Sequence, residues 1–212
     1  MALESSKNLG GIGAILIVIG LLPIPYAPIL SLIGLILLMI GLKGLADFYK
    51  EGGIFNNALY ALILAIVGGV IAAGILIVMF VGTLLELGIN ISNIADWATF
   101  GTQLTTMFTD FSNFGLLFSF LGAIAISLIV LFVFAIIAVL FFRRSLTQLA
   151  SKTGVGLFGT AGLLMLIGAV LTIIVIGALL IWIALILVAV AFFRIRAQPT
   201  AVTQMAPPPP PQ

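Results

Sequence analysis

"FFRRSLTQLASKTG", residues 141–154, lies between two long apolar runs and holds Arg143, Arg144 and Lys152, three of the chain's eight Lys and Arg residues. The side of a membrane on which this island lies sets how the rest of the chain is threaded. That a membrane is involved follows from composition. The chain has 212 residues, 63% of them hydrophobic and 7% charged, against roughly 25% charged in a soluble domain. A chain this short cannot hide so much apolar surface from water, whereas runs of about 20 apolar residues are what a hydrocarbon core about 30 Å thick demands. The net charge of +2 says little about nucleic acid, and none is expected as a partner.

On the N-terminal side of the island, 115–142 is one long apolar helix. On its C-terminal side, 155–193 contains no charge. That is too long for one span and enough for two helices, 155–175 and 177–193, with a tight turn near Ile176 and Gly177. Arg194 and Arg196 close it. Before 115 lies a polar stretch, "GINISNIADWATFGTQLTTMFTDFSNF" (88–114), with Asp96 and Asp110 as its only charges. Before that, 58–87 is apolar and, as helix, about 45 Å long, more than the core is thick. "KGLADFYKEGGIFNN" (43–57) has the mix of charge and aromatics found at a membrane–water interface, and Asn56 or Asn57 can cap the following helix.

The N-terminal part reads as a short hairpin, helices 8–22 and 28–42, around "PIPYAP" (23–28). Pro23 ends the first helix and Pro28 suits the first turn of the second. Each arm is roughly 21–25 Å long, so the hairpin either spans or re-enters on the side it came from. Residues 9–22 have the length of a signal-peptide core, but only Lys7 precedes them and no A-x-A-like site follows, so the segment reads as an uncleaved helix. The expected fold is all-α: a polytopic membrane helical bundle of about six membrane helices, a short hairpin, two long helices and a second short hairpin. It occupies residues 1–196, and 197–212 is a disordered Pro-rich tail or a docking ligand for a soluble partner.

Alternate assignment of the connections puts 1–8, 43–57, 143–154 and 194–212 on one side and 23–28, 88–114 and the turn near 176 on the other. All 8 Lys and Arg then fall on the first side. Because Lys and Arg near helix ends stay in the cytoplasm, both termini are expected there. Lys43, Lys50, Arg143, Arg144, Lys152, Arg194 and Arg196 read as topology determinants and lipid-headgroup anchors, with a specific phosphate or substrate site as the alternative for the island. Asn90-Ile91-Ser92 is a glycosylation sequon on the outer side, a tripeptide also common by chance.

The chain has no Cys and no His, which removes disulfides, thiolate metal sites, imidazole acid–base chemistry and haem ligation by either residue. No ionisable group lies deep in an apolar run, the usual mark of a proton or ion path. Glu86 sits at the outer end of its helix, and Ser31, Ser119, Ser127, Thr160 and Thr172 are single hydroxyls expected to bond to the preceding turn. The outer carboxylates Glu86, Asp96 and Asp110 form no catalytic spacing. Ser151 beside Lys152 reads as a helix cap, and Trp97 and Trp182 as interface or packing aromatics. No catalytic residue, metal ligand or cofactor is expected.

Ala61, Ala65, Gly69 and Ala73 recur every four residues, with Gly68 and Ala72 beside them. Such a small-xxx-small stripe lets another helix approach closely, either within the chain or from a second copy. Gly156, Gly159 and Gly162 make a second small surface. A weak echo joins the ends of the chain: Ser-Lys at 6–7 and 151–152 precede Gly-rich hairpins, and "LIVIG" (16–20) is like "LMLIG" (164–168), which would make a parallel repeat.

Two stretches, "LSLIGLILLMIGLKGLADFYKEGGIFNNALYALI" (30–63) and "FFRRSLTQLASKTGVGLFGTAGLLMLIGAVLTIIVIGALLIWIALILVAVAFFRI" (141–195), resemble an archaeal family of small multi-pass integral membrane proteins of unknown function. The informative parts are "KGLADFYKEGGIFNN" and "RRSLTQLASKTGVGLF". The resemblance implies an archaeal multi-pass protein of the plasma membrane and transfers no active site. Some relatives carry an added zinc ribbon, for which this chain has no Cys. The expected function is non-enzymatic association, as an accessory subunit of a membrane complex or a homo-oligomeric scaffold, with membrane lipids, other membrane subunits or itself as partners. The alternative is a channel or carrier for a neutral or lipidic solute.

Overall fold

The computed structural model describes residues 3–86, 101–102, 105, 114–174 and 176–196. Most of the expected polar loop 88–114 and the whole tail 197–212 lie outside the described residues. Among these there are six helices and no strands: α1 (Leu3–Gly20), α2 (Ala27–Phe48), α3 (Gly52–Glu86), α4 (Phe114–Thr153), α5 (Leu157–Leu171) and α6 (Ile176–Phe193), with a 3₁₀ turn (Thr172–Ile174) between the last two. The chain folds as an apolar helical bundle of the membrane type. Five helices, α2 to α6, are long and apolar enough to cross a membrane. The sixth, α1, carries Glu4 and Lys7, and its purely apolar part begins only at Leu9.

The helices extend beyond the apolar runs at their charged ends, and the reason is amphipathicity. The expected interfacial connection 43–57 shrinks to residues 49–51, because α2 continues to Phe48 and α3 starts at Gly52. Leu42, Leu45 and Ile54 are fully buried there while Lys43 and Asp47 face outward. α2 stops in a Schellman motif: Glu51 N–H donates to Ala46 O at 2.9 Å and Lys50 N–H to Asp47 O at 3.3 Å, with Lys50 at φ 54 in the position usually taken by Gly. α4 likewise runs through the basic island to Thr153 instead of ending at 142, since Ser145, Leu146 and Leu149 are buried while Arg144, Thr147 and Ser151 are exposed. Gly154, at φ 72, ends it by donating to Ala150 O at 2.9 Å.

Each helix packs on its neighbours in sequence and α6 returns to α1, so the six helices close into a ring. The two short hairpins are zipped by small residues at intervals of seven. In α1 these are Ser6, Gly13 and Gly20, and in α2 they are Ala27, Gly34 and Gly41, all buried. A Cβ on Gly13 would strike the Gly34 carbonyl and the Leu38 amide, and one on Gly41 would strike the backbone of Gly10. In the second hairpin Ala161 and Gly168 face Gly177, Ala184 and Ala191 at the same interval, with Gly168 and Gly177 backbone to backbone. Where lipid supplies no hydrophobic drive, such close backbone approach is what holds helices together.

One buried cluster draws on all six helices, among them Leu3, Leu42, Leu45, Ile54, Leu146, Leu149, Phe158 and Phe192. Ala14 and Leu38 carry it inward between α1 and α2, and its other large side chains lie at the charged end. Lys7 Nζ donates to Ile195 O there at 3.3 Å, joining the start of α1 to the end of α6, and Lys152 meets Glu51 at 3.0 Å, joining the end of α4 to the α2–α3 turn. Every Lys and Arg is at this end. α3 (35 residues) and α4 (40 residues) are about 52 and 60 Å long. They continue past the short hairpins as a lone antiparallel pair.

Candidate functional site

The described residues present two surfaces that could carry function: the cationic end and the free flank of α3. At the cationic end, Lys43 pairs with Asp47 at 3.9 Å and lies over the Phe55 ring, 5.1 Å from its centroid. Lys152 pairs with Glu51. Arg144 stacks over Phe141 at 5.5 Å, and the stem of Arg143 covers Gly162 of α5. Among the described residues, Lys50, Arg143, Arg144, Arg194 and Arg196 have no carboxylate partner within ion-pair distance. This leaves an excess of positive charge on a plane through the ends of α2, α4 and α6. Tyr49 sits in the α2–α3 turn on the same plane, and burial pushes its phenol pKa up.

The structure separates the expected small-residue stripe on α3. Ala61 is buried against α4, but Ala65 and Ala73 are exposed, and a Cβ on Gly69 would meet nothing within 4 Å. The residues that pack within the chain are instead the neighbours Gly68, whose Cβ position is filled by Phe134, and Ala72. The separation has a geometric reason. Every-fourth-residue spacing drifts about 40° per step around a helix with 3.6 residues per turn, so a stripe that starts on one face leaves it within three steps. Of the second small surface, Gly162 is covered whereas Gly156 and Gly159 stand open. Asn90 lies outside the described residues.

Polar side chains join α3 and α4 in ways the sequence did not disclose. Ser145 Oγ donates to Ile54 O at 2.6 Å, Ser127 Oγ to Ala72 O at 2.9 Å, and Asn57 Nδ2 to Gln148 Oε1 at 3.3 Å. Ser127 therefore bonds across helices and not to its own preceding turn, unlike Ser119, Thr160 and Thr172. Asn57 is no cap either, since α3 begins five residues earlier. Ser151 lies in the last turn of α4 and bonds back to Gln148 O at 2.7 Å, so it neither caps a helix nor pairs with Lys152. Trp182 Nε1 donates to Val18 O at 3.1 Å, occupying a carbonyl at the end of α1. An unusually placed polar residue in an apolar run was the only signal available for any of these.

The tip of the first hairpin is apolar and internally satisfied. Leu21, Leu22, Ile24, Ala27 and Ile29 donate their N–H groups to carbonyls within residues 17–26, and three prolines in 23–28 have no N–H to satisfy. Leu21, Leu22 and Ile24 are nevertheless exposed. A turn built this way tolerates hydrocarbon, where an unpaired backbone group costs several kcal/mol.

The chain belongs to the family described as "Protein of unknown function (DUF996)", which matches residues 30–186. It is 29% identical over 195 residues, 92% of this chain and 94% of the relative, to an uncharacterized protein of the archaeon Methanocaldococcus jannaschii, MJ1644. No solved structure matches it.

Proposed function

We propose that this member of the family is a non-enzymatic integral protein of the plasma membrane that acts by association, as an accessory subunit of a larger membrane complex or as a homo-oligomeric scaffold. The observation that carries this is the free flank of α3. Ala65, Gly69 and Ala73 are the residues that would let a foreign helix approach closely, and among the described residues no helix of this chain covers them. A glycine in a helix costs about 1 kcal/mol relative to alanine, and within one chain Gly69 has nothing to offset that cost. The cationic plane supports a cytoplasmic placement of both termini, since uncompensated Lys and Arg at helix ends are retained on that side.

The absence of native cysteine makes the test clean. Ala65→Cys, Gly69→Cys and Ala73→Cys, introduced singly and oxidised in native membranes, should give disulfide-linked dimers or adducts with one partner. Ala72→Cys, turned toward α4, should not. Native mass spectrometry of the gently extracted chain separates the two forms of the proposal. A foreign subunit at fixed stoichiometry makes it an accessory protein, and copies of itself make it a scaffold. A monomer that fails to cross-link at all three positions sinks both. The channel or carrier reading draws less support, because the centre of the ring at the cationic end is filled by Leu42, Leu45, Leu146, Leu149, Phe158 and Phe192.

A further inference from the structure

An apolar groove of about 400 Å³ runs between α2 and α3. One wall is Leu32, Leu35, Ile36, Met39 and Ile40, the other is Phe55, Leu62 and Ile66, and Lys43 stands at its cationic end. Leu32, Ile36, Ile40 and Ile66 stay exposed along it, so no described element of the chain covers it. Two independent measures say what does. Each wall runs eleven residues from the cationic plane, 43 back to 32 on α2 and 55 on to 66 on α3. That is about 16 Å of helix, or about half the thickness of a hydrocarbon core. The groove is therefore one leaflet deep. Its only cation lies where a headgroup in that leaflet would sit, with an exposed side chain in a loose pair with Asp47 that leaves most of its donors free.

We propose that the α2–α3 groove is a binding site for one anionic phospholipid of the leaflet at the cationic end, with an acyl chain lying along Leu32–Ile40 and Leu62–Ile66 and the phosphate taken by Lys43. Lys43 is held in place for this role, because the Phe55 ring beneath it and Asp47 one turn away limit where the ammonium can go. The site does not depend on association, and the two are read by different measurements.

The test uses the full chain, purified, delipidated and titrated with phosphatidylglycerol or phosphatidylcholine of equal chain length, with bound lipid counted by native mass spectrometry. The wild type should retain one lipid per chain and prefer phosphatidylglycerol about five-fold, the advantage one lysine gives near a membrane surface. Lys43→Gln should keep the single bound lipid and lose the preference. Ile36→Trp, a change at an exposed position that fills the groove without touching the core, should lose the lipid altogether. Lys50→Gln, a cation on the same plane but outside the groove, should behave as wild type. The proposal is overturned if Lys43→Gln and Lys50→Gln act alike, or if Ile36→Trp still retains lipid. It is equally overturned if Ile36→Trp breaks a homo-oligomer that carries no lipid, since the groove would then be filled by a second copy.

Discussion

The two ends of the molecule are built from the same few apolar residue types and are stabilised in different ways. At the cationic end Phe158 and Phe192 are 0% exposed, stacked edge to face at 5.1 Å inside a cluster fed by every helix. In the far part of α3, Val70 and Val78 are 66% and 69% exposed on a helix that touches little besides α4. In water the second region would not persist. In a bilayer it is ordinary, because lipid tails cover apolar side chains as well as protein does and helices gain only what close packing and hydrogen bonds add. The contrast teaches that burial within this chain reports tertiary constraint and not solubility.

The contrast is broken most severely at its packed end. Phe158→Ala should cost about 3–5 kcal/mol, the usual penalty for emptying an aromatic site in a core, whereas Val78→Ala should stay within about 0.5 kcal/mol. Helicity followed during titration with a denaturing detergent reads both, and equal effects would mean that the two ends do not differ as described. Gly34→Leu should come next at about 1–3 kcal/mol or more, because its side chain must enter the backbone of α1 at Gly13. Gly69→Leu should make the isolated chain more stable by up to about 1 kcal/mol, the helix cost of glycine, while abolishing association. Thermal melting and sedimentation of the two variants side by side would expose an error in either half of that statement.

Smaller effects sharpen the picture at the hairpin tip and the turns. Trp182→Phe removes the donor to Val18 O and should cost about 0.6–1.7 kcal/mol, the range for interhelical hydrogen bonds in membranes. Faster amide hydrogen exchange confined to α1's last turn would locate the loss. Lys50→Gly should raise stability by about 1 kcal/mol by relieving a left-handed conformation on a side chain with a Cβ, seen as a higher melting temperature. Lys152→Ala, breaking the partly exposed pair with Glu51, should change the same reading by less than about 0.5 kcal/mol.

Much of this architecture was legible in the sequence, since apolar length, proline punctuation and the one-sided distribution of Lys and Arg are coarse quantities that a bilayer reads directly. The hairpin at 23–28 and the paired long helices follow from them. What stayed hidden was rotation. The sequence shows Ala61, Ala65, Gly69 and Ala73 as one stripe and gives no hint that α4 selects Gly68 and Ala72, because in a helix that is apolar all round no polar face marks the outside. The helical continuation through Arg143 to Thr153 was missed for the opposite reason. There the charged residues dominate the pattern, and the three buried residues beneath them, Ser145, Leu146 and Leu149, are too few to mark an apolar face. Small residues recur every seven positions at 6, 13 and 20 and at 27, 34 and 41, and the spacing takes its meaning from the meeting of the two helices backbone to backbone.

The apolar, self-bonded tip of the first hairpin also bears on how the protein enters a membrane. That tip carries no charge, and of its N–H groups only that of Tyr26 is left without a carbonyl there, so this hairpin can enter hydrocarbon without dragging a strongly hydrated segment with it. The long pair differs, because the charged and exposed Glu86 stands at its far end and must cross the hydrocarbon to reach it. Entry into a membrane thus asks most of the long pair, whose far end carries a charge, and least of the first hairpin, whose tip carries none.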